Sequence, residues 1–277
     1  LAAVANLALL AAEGFVAAIV LRFAVGVFLA GVYPPAMKMA ATWFRTGRGL
    51  AIGAVVGALI LGKAGPWLAR WIGLDDAPSI LGATSAAALL AALVVALLYR
   101  DGPHAFERPR FSWSLAATLI RHRPTRLAIG GYLGHMWELY AMWTWVGAFA
   151  LASLVASGDP PGWADAITWA AIAAGASGSV LGGHVADRWG RDRWVNLCMA
   201  ISGACCLVVG LVFGGSPLAL LVLGVVWGFF VVADSAQFSA MVTEVAPRDA
   251  VGTALTLQTS LGFLLTMVTI QWVPEIA

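Results

Sequence analysis

Apolar residues occur along this 277-residue chain in successive runs of about 20, separated by glycine, proline or charged clusters. A helix of about 20 apolar residues crosses a hydrocarbon core roughly 30 Å thick. The pattern therefore predicts nine membrane-spanning helices, the first of them partial. Their predicted bounds are 1–12, 14–43, 48–70, 78–99, 126–155, 164–186, 194–213, 217–243 and 252–274.

Composition supports a membrane protein. Apolar residues make up 61% of the chain and charged residues 11%, and the mean hydropathy is +0.88. A soluble domain has about 45–50% apolar and about 25% charged residues, so a water-soluble protein is excluded. The net charge of +2 comes from short loops and forms no basic stripe, so we expect no nucleic-acid partner. Cys198, Cys205 and Cys206 lack metal-ligand spacing, and we expect packing residues and no metal or cofactor.

The basic residues predict the orientation of the spans. Alternate loops are assigned to one side, and twelve of the sixteen lysines and arginines lie on it. Arg70 alone lies on the other side, and three basic residues lie within spans. Cytoplasmic loops carry the excess of lysine and arginine, so the arginine-rich side is predicted to be cytoplasmic.

The ends and the middle of the chain predict its organisation. Leu1 and Ala277 both adjoin apolar segments, so we expect further residues before and after the chain. The polar stretch 100–125 is predicted to be a linker between an N-terminal half, 1–99, and a C-terminal half, 126–277. Within it, residues 112–123 are predicted to form a short amphipathic helix on the membrane surface.

One loop carries the most specific motif in the chain. It reads GHVADRWGRDR and contains Gly183, Asp187, Arg188, Gly190, Arg191 and Arg193. This loop resembles the G-x-x-x-D-R-x-G-R signature of the major facilitator superfamily. The segment LRFAVGVFLAGVYPP, with Arg22, Gly26 and Gly31, resembles the fourth helix of the same family.

The resemblance implies a fold and a function. The family has twelve helices in two six-helix halves, so this chain would begin in the third helix and end with the eleventh. The implied fold is an all-α, polytopic, two-half helical bundle with about nine of the twelve helices. The implied function is secondary active transport of a small solute by alternating access. The resemblance also implies a monomer in the bacterial inner membrane, with the signature loop and the linker on the cytoplasmic side. Three further segments are loosely similar to bacterial members grouped with nitrate/nitrite or organic-anion carriers.

Ionisable side chains within spans are the first candidates for function, because inserting one at a helix centre costs about 2.5–3.5 kcal/mol. They are Arg22, Lys38, Lys63, Glu138 and Asp234. The resemblance implies that the family's first, fourth, seventh and tenth helices line a central cavity, and all but Lys63 fall on these. Helical spacing places His135, Glu138, Met142, Trp145 and Phe149 on one face, and Trp227, Phe230, Asp234, Gln237 and Met241 on another. The predicted substrate and proton-coupling residues are Arg22, Tyr33, Lys38, His135, Glu138, Tyr140, Trp145, Asp234 and Gln237.

Two hypotheses assign roles to these charges. In the first, Arg22, with Lys38 or Lys63, favours an anionic substrate, while Glu138 or Asp234 binds and releases a coupling proton. In the second, Arg22 only forms an interhelical ion pair with Glu138 or Asp234 that holds the bundle together.

Other functional classes remain as alternatives. The glycines of 53–66 resemble the fifth helix of drug-exporting members, which suggests an efflux antiporter, although the spacing before Gly65 is one residue short. A non-transporting receptor or sensor is the other alternative. We expect no enzyme, because neither an HExxH nor a GxSxG motif occurs in the chain.

Overall fold

The computed structural model describes residues 1–32, 35–36, 39, 42–44, 48–100, 102–103 and 112–276. These residues form α-helices and short 3-10 turns, with no strand among them. The helices are α1 (Ala2–Ala8), α2 (Gly14–Ala30), α3 (Arg48–Trp71), α4 (Ala77–Leu98), α5 (Trp113–Arg121), α6 (Arg123–Ser157), α7 (Trp163–Trp189), α8 (Arg191–Val208), α9 (Pro217–Ala233), α10 (Ser235–Val245) and α11 (Val251–Ile276). The 3-10 turns are Leu9–Ala11 and Val209–Val212.

The helices confirm the prediction of a multi-pass all-α membrane protein. Within the described residues, seven helices are long and apolar enough to cross a membrane, and they match the seven predicted spans from 48–70 onwards. Two shorter apolar helices, Ala2–Ala11 and Gly14–Ala30, match the first two. The predicted span 14–43 extends beyond its helix, because α2 ends at Ala30 and a turn follows at Gly31. Tyr33, Pro34 and Lys38 lie outside the described residues.

Large apolar side chains cover the outer surface of these helices. Leu207 is 86% exposed and Leu211 is 83% exposed, and both lie near the end of α8. Contiguous apolar surface of this kind is costly in water but suits a hydrocarbon environment.

The chain divides into two compact units, one of residues 1–46 and 66–105, the other of residues 47–65 and 106–277. In the first unit, α1 packs against α2 and α4. The amide of Asn6 donates to Ser85 Oγ at 2.9 Å, which satisfies a polar group between two apolar helices. The division into two halves joined by a central linker stays a prediction.

In the second unit, α7 and α9 pack closely because small residues line their interface. A Cβ added at Gly175 would lie 2.9 Å from the carbonyl oxygen of Gly228. At Gly178 and Gly182, a Cβ would overlap the carbonyls of Phe229 and Ala233. Glycines spaced at three and four residues therefore allow the two backbones to approach, as is common in membrane helix pairs.

The glycines of α3 have a similar role in part. The hydroxyl of Ser179 on α7 donates to the carbonyl of Gly53 at 3.1 Å, and a Cβ at Gly57 would lie 3.1 Å from the Ala176 carbonyl. Gly62 and Gly65 have no atom within 4 Å of a built Cβ. Close packing thus accounts for the first two glycines of the predicted drug-exporter motif.

One end of the second unit carries most of its arginines, and we call it the arginine end. Its arginines are Arg121, Arg123, Arg126, Arg188, Arg191, Arg193 and Arg248. The short helix α5 lies here, at the position predicted for an amphipathic surface helix. Leu119 of α5 packs in one buried cluster with Ile129 of α6, Val242 of α10 and Ala254 of α11. The cluster holds α5 across the ends of three membrane helices.

Candidate functional site

Helices α6, α8, α9 and α10 bring His135, Glu138 and Asp234 together inside the second unit, and we call these three residues the membrane cluster. His135 Nδ1 lies 3.0 Å from Asp234 Oδ1, with the two side chains 2% and 1% exposed. The other ring nitrogen of His135, Nε2, is 2.8 Å from the hydroxyl of Ser235. Asp234 Oδ1 accepts no well-aligned hydrogen bond from the residues that the structure describes, so the contact with His135 is close without being linear. This carboxylate therefore retains a free acceptor position.

Glu138 lies one helical turn from His135 and is held by neutral donors. Its Oε2 accepts a hydrogen bond from Ser202 Oγ at 3.0 Å, and its Oε1 accepts one from Trp227 Nε1 at 3.1 Å. Each carboxylate oxygen thus has one donor, from α8 and from α9. These bonds offset part of the cost of removing a carboxylate from water.

Asp234 lies at an interruption between α9 and α10. The backbone N–H of Gln237 donates to the carbonyl of Asp234, three residues back, at 2.9 Å. The carbonyl of Ala233 accepts from the indole Nε1 of Trp194 on α8 at 3.0 Å. An interrupted membrane helix is tolerated where a neighbouring side chain satisfies the backbone in this way. Asp234 therefore lies directly before the first residue of α10.

Aromatic rings surround the membrane cluster. The His135 ring is 5.3 Å from the Phe238 ring and 6.2 Å from the Tyr132 ring, measured between centroids. Further along α6, the centroids of Tyr140 and Trp143 are 5.6 Å apart. The indole N–H groups of Trp143 and Trp145 are buried and lack a hydrogen-bond partner in the described part of the chain.

Lys63 of α3 lies beside this aromatic group. Its Nζ is 6.0 Å from the centroid of the Trp143 ring, and the side chain is exposed. A lysine over an indole face is attracted by the negative face of the ring. This contact places Lys63 near α6, although Lys63 belongs to neither of the two helix faces predicted from spacing.

The signature loop forms a second polar group at the arginine end, which we call the arginine latch. Arg191 Nη2 lies 3.0 Å from Asp187 Oδ1, and its Nε donates to Glu244 Oε1 at 2.7 Å. Its Nη1 donates to the amide oxygen of Gln237. One guanidinium therefore links the end of α7, the start of α8 and two turns of α10, in the forked geometry that arginine favours.

The other predicted residues are placed as follows. Gln237 is buried and bonds the arginine latch, although spacing grouped it with Asp234. Gly183 is buried in α7, and Gly190 has a φ of +102°, a conformation that glycine adopts without strain between α7 and α8. Arg188 and Arg193 are exposed beside the latch. Arg22 is exposed on α2 in the first unit. Tyr33 and Lys38 lie outside the described residues.

Several contact residues were not predicted from sequence. Ser202, Ser235, Glu244 and Trp194 each bond a predicted residue or the helix interruption. Ser202 is a small polar residue in an apolar run, which is too common to indicate a site. Ser235 and Glu244 had a usable signal, because Ser235 follows Asp234 directly on the same predicted span and Glu244 follows the end of that span.

Comparisons with known proteins identify similar sequences and folds. The family model of the Major Facilitator Superfamily matches residues 1–270 of the chain. No curated protein matches it. A solved structure described as a bacterial homolog to human lysosomal transporter, Spinster, in inward-facing and unoccupied conformation, is similar with a TM-score of 0.57 and 15% sequence identity. The match covers 96% of this chain and 64% of that one, and at this identity it shows a shared fold alone.

Proposed function

We propose that this chain, which belongs to the major facilitator superfamily, acts as a secondary active transporter. It moves a small solute by alternating access, in exchange or symport with protons. We place it in the bacterial inner membrane as a monomer, with the signature loop and the 100–125 linker on the cytoplasmic side. Family membership supports transport, and the membrane cluster supports the proton coupling.

The observation that carries the coupling proposal is the buried pair of His135 and Asp234. Ionisable groups in a membrane interior are costly and are kept where they serve ion or substrate movement. A histidine beside a carboxylate can hold one proton or two, because both groups can accept one. Binding and release of the second proton would change the net charge of the pair from zero to plus one. That change would favour one of two conformations.

Glu138 is proposed as the second carboxylate of the proton path. It is half-buried, whereas Asp234 is buried, so the two carboxylates differ in access. Ser202 and Trp227 would orient the Glu138 carboxylate, because each donates a hydrogen bond to one of its two oxygens. His135 contacts Asp234 and lies one helical turn from Glu138 on α6, where it would pass a proton between the two carboxylates.

A short route would connect the proton site to the arginine latch. Asp234 and Gln237 are one turn apart, and their backbones share a hydrogen bond. Gln237 in turn accepts from Arg191 of the latch. A rearrangement at Asp234 would therefore displace a partner of Arg191 at the arginine end. Two groups on one rigid turn can bias the same two-state element.

The substrate is proposed to be anionic. Lys63 near Trp143, and Arg22 on the first unit, are cations with exposed side chains on membrane helices. Asp234 and Glu138 of the membrane cluster already have partners within the second unit. Lys63 in the second unit and Arg22 in the first are therefore each proposed to attract an anionic substrate.

The test is proton movement in proteoliposomes that contain a pH-sensitive dye. A panel of small organic anions and cations is added outside, and the internal pH is followed. We expect at least one anion to change the internal pH with the wild-type protein. Asp234→Asn and Glu138→Gln should abolish that change, because each removes a site that binds a proton.

Asp249→Asn is the matched control, since Asp249 is an exposed carboxylate outside the membrane cluster. It should retain the signal of the wild type. If both cluster variants keep substrate-driven proton movement, the coupling assignment is wrong. A protein that moves only cations would overturn the anionic substrate while leaving the coupling intact.

A further inference from the structure

A cavity of about 220 Å³ opens at the arginine end, away from the membrane cluster. It lies between α5, α6 and α11. Apolar side chains and one glycine line most of its wall, among them Ile120, Ile129, Gly130, Leu133, Leu257 and Leu261. Arg126 is the one charged residue of the lining.

The cavity wall is almost entirely apolar, and Arg126 marks the end nearest the start of α6, which we call the polar end. Arg126 lies in the first turn of α6, and Leu133 lies seven residues deeper on the same helix. At about 1.5 Å per residue the cavity wall extends roughly 10 Å from the level of Arg126 into the membrane. An amphipathic helix such as α5 lies at the boundary between headgroups and acyl chains. The cavity therefore starts at the headgroup level and ends among acyl chains.

The polar end carries an excess of positive charge. Arg121, Arg123 and Arg126 are all exposed, and residues 112–137 contain no Asp or Glu. The facing 246–250 loop adds Arg248 and Asp249, whose charges cancel. Nη1 of Arg126 lies 3.5 Å from the carbonyl of Ile120, so the guanidinium is held at the end of α5 with other N–H groups free to face a ligand.

We propose that this cavity binds one anionic phospholipid, with an acyl segment against Ile129, Leu133 and Leu257 and the phosphate at Arg126. The occupant combines an apolar tail and an anion in the order in which the wall presents them. Basic sites between membrane helices on the cytoplasmic side bind anionic headgroups in this manner. The bound lipid would fasten the linker helix α5 to α6 and α11.

The test is native mass spectrometry of the detergent-purified protein with phosphatidylglycerol or phosphatidylcholine of the same acyl chains. We expect one tightly retained phosphatidylglycerol and weaker retention of phosphatidylcholine. Arg126→Gln should lower retention of phosphatidylglycerol about fivefold, since a basic residue near the surface contributes about that factor to anionic lipid binding. Retention of phosphatidylcholine should stay unchanged in this variant.

A second variant blocks the apolar part. A Cβ at Gly130 has no atom within 4 Å, so Gly130→Leu would fill the cavity without a clash. It should lower the retention of both lipids. The matched controls are Gly62→Leu, which also meets open space on a helix face, and Arg100→Gln, which removes an exposed arginine that is not part of the cavity lining.

Three outcomes would overturn the proposal. The first is equal retention of the two lipids by the wild type. The second is a loss of phosphatidylglycerol with Arg100→Gln as large as with Arg126→Gln, which would indicate general surface charge. The third is displacement of the lipid by a second copy of the chain, seen as a dimer without bound lipid.

Discussion

At the residue scale, His135 and Asp234 form a buried polar pair inside the second unit. Either residue alone would leave a polar or charged group in a low-dielectric interior, and the contact between them offsets part of that cost. Ser235 completes the polar surroundings of His135, while no other described cation contacts Asp234. The pair is therefore a stability element as well as a proposed proton site, and the two roles can be tested separately.

A double-mutant cycle measures the stability role. His135→Leu leaves the Asp234 carboxylate without its partner, and removing one member of a buried pair costs about 3–5 kcal/mol. We expect the double variant His135→Leu/Asp234→Asn to recover most of this loss, because the uncompensated charge is gone. The measurement is reversible unfolding in mixed detergent micelles. Additive losses in the two single variants would show that the pair is not coupled.

Asp76 gives a pH-dependent prediction outside the membrane spans. It is the N-cap of α4, and its carboxylate accepts the Ser79 N–H at 2.7 Å. Hydrogen bonds from the side chain and then the backbone of Ser79 lower the pKa of Asp76 below its ordinary value. Since the folded-state pKa is the lower one, the cap is fully effective above the unfolded pKa and is lost as the pH falls through the folded pKa.

Amide hydrogen exchange at the start of α4 tests this cap. Asp76→Ala should weaken protection of Ser79 and Ile80 at neutral pH, because the acceptor is removed. Asp76→Asn should keep the cap and make protection independent of carboxyl titration. Protection in the wild type should fall relative to Asp76→Asn below about pH 4. Identical acid profiles in the two proteins would show that the Asp76 charge has no role.

Residue types in a span could be read from the sequence, but their partners could not. A charged residue within an apolar run is easily recognised, so Glu138 and Asp234 were identified from the free-energy cost of placing a charge in a membrane. The partner of Asp234 is His135, which lies 99 residues earlier in the chain, and the two meet because α6 packs against the α9–α10 segment. Helical spacing fixes a face of one helix and carries no information on which neighbouring helix it meets.

At the element scale, the interruption at Asp234 and the glycines of α7 form one structural feature. Gly182 lies against the carbonyl of Ala233, which also accepts the Trp194 indole. The sequence predicts a continuous span 217–243, since residues 231–237 contain neither glycine nor proline. The interruption depends on contacts from α7 and α8, so the local sequence could not predict it. Asp and Ser, which compete for backbone hydrogen bonds, only make it less costly.

Gly182→Ala tests the close packing of α7 on α9. The added methyl group would overlap the carbonyl of Ala233, and overpacking of this kind costs about 1–3 kcal/mol. We expect a lower thermal unfolding midpoint in detergent. Gly203→Ala on α8 is the control, since its Cβ would meet nothing within 4 Å and alanine favours helix by up to about 1 kcal/mol. Equal midpoints for the two variants would contradict close packing at Gly182.

At the scale of the whole molecule, hydropathy predicted the membrane-spanning helices, and the basic residues predict their orientation. Twelve basic residues on one side assign alternate loops to that side. The structure brings the α7–α8 turn and the end of α10 together there through Arg191 and Glu244. Loop charges act through the membrane potential and lipid headgroups, so they are readable from sequence without knowledge of packing. How many helices pack, and against which partners, required the fold.

The predicted sidedness has a direct test in which the three native cysteines serve as an internal blank. Cys198, Cys205 and Cys206 all lie in α8 within the apolar span, where a membrane-impermeant maleimide cannot reach them. Ser114→Cys on α5 and Ser216→Cys before α9 are nearly isosteric changes at exposed positions on opposite ends of the second unit. If the arginine end is cytoplasmic, Ser216→Cys labels in intact cells and Ser114→Cys labels only in inverted vesicles. The reverse pattern would place the signature loop outside the cell, and the proposed lipid site would then lie in the opposite leaflet.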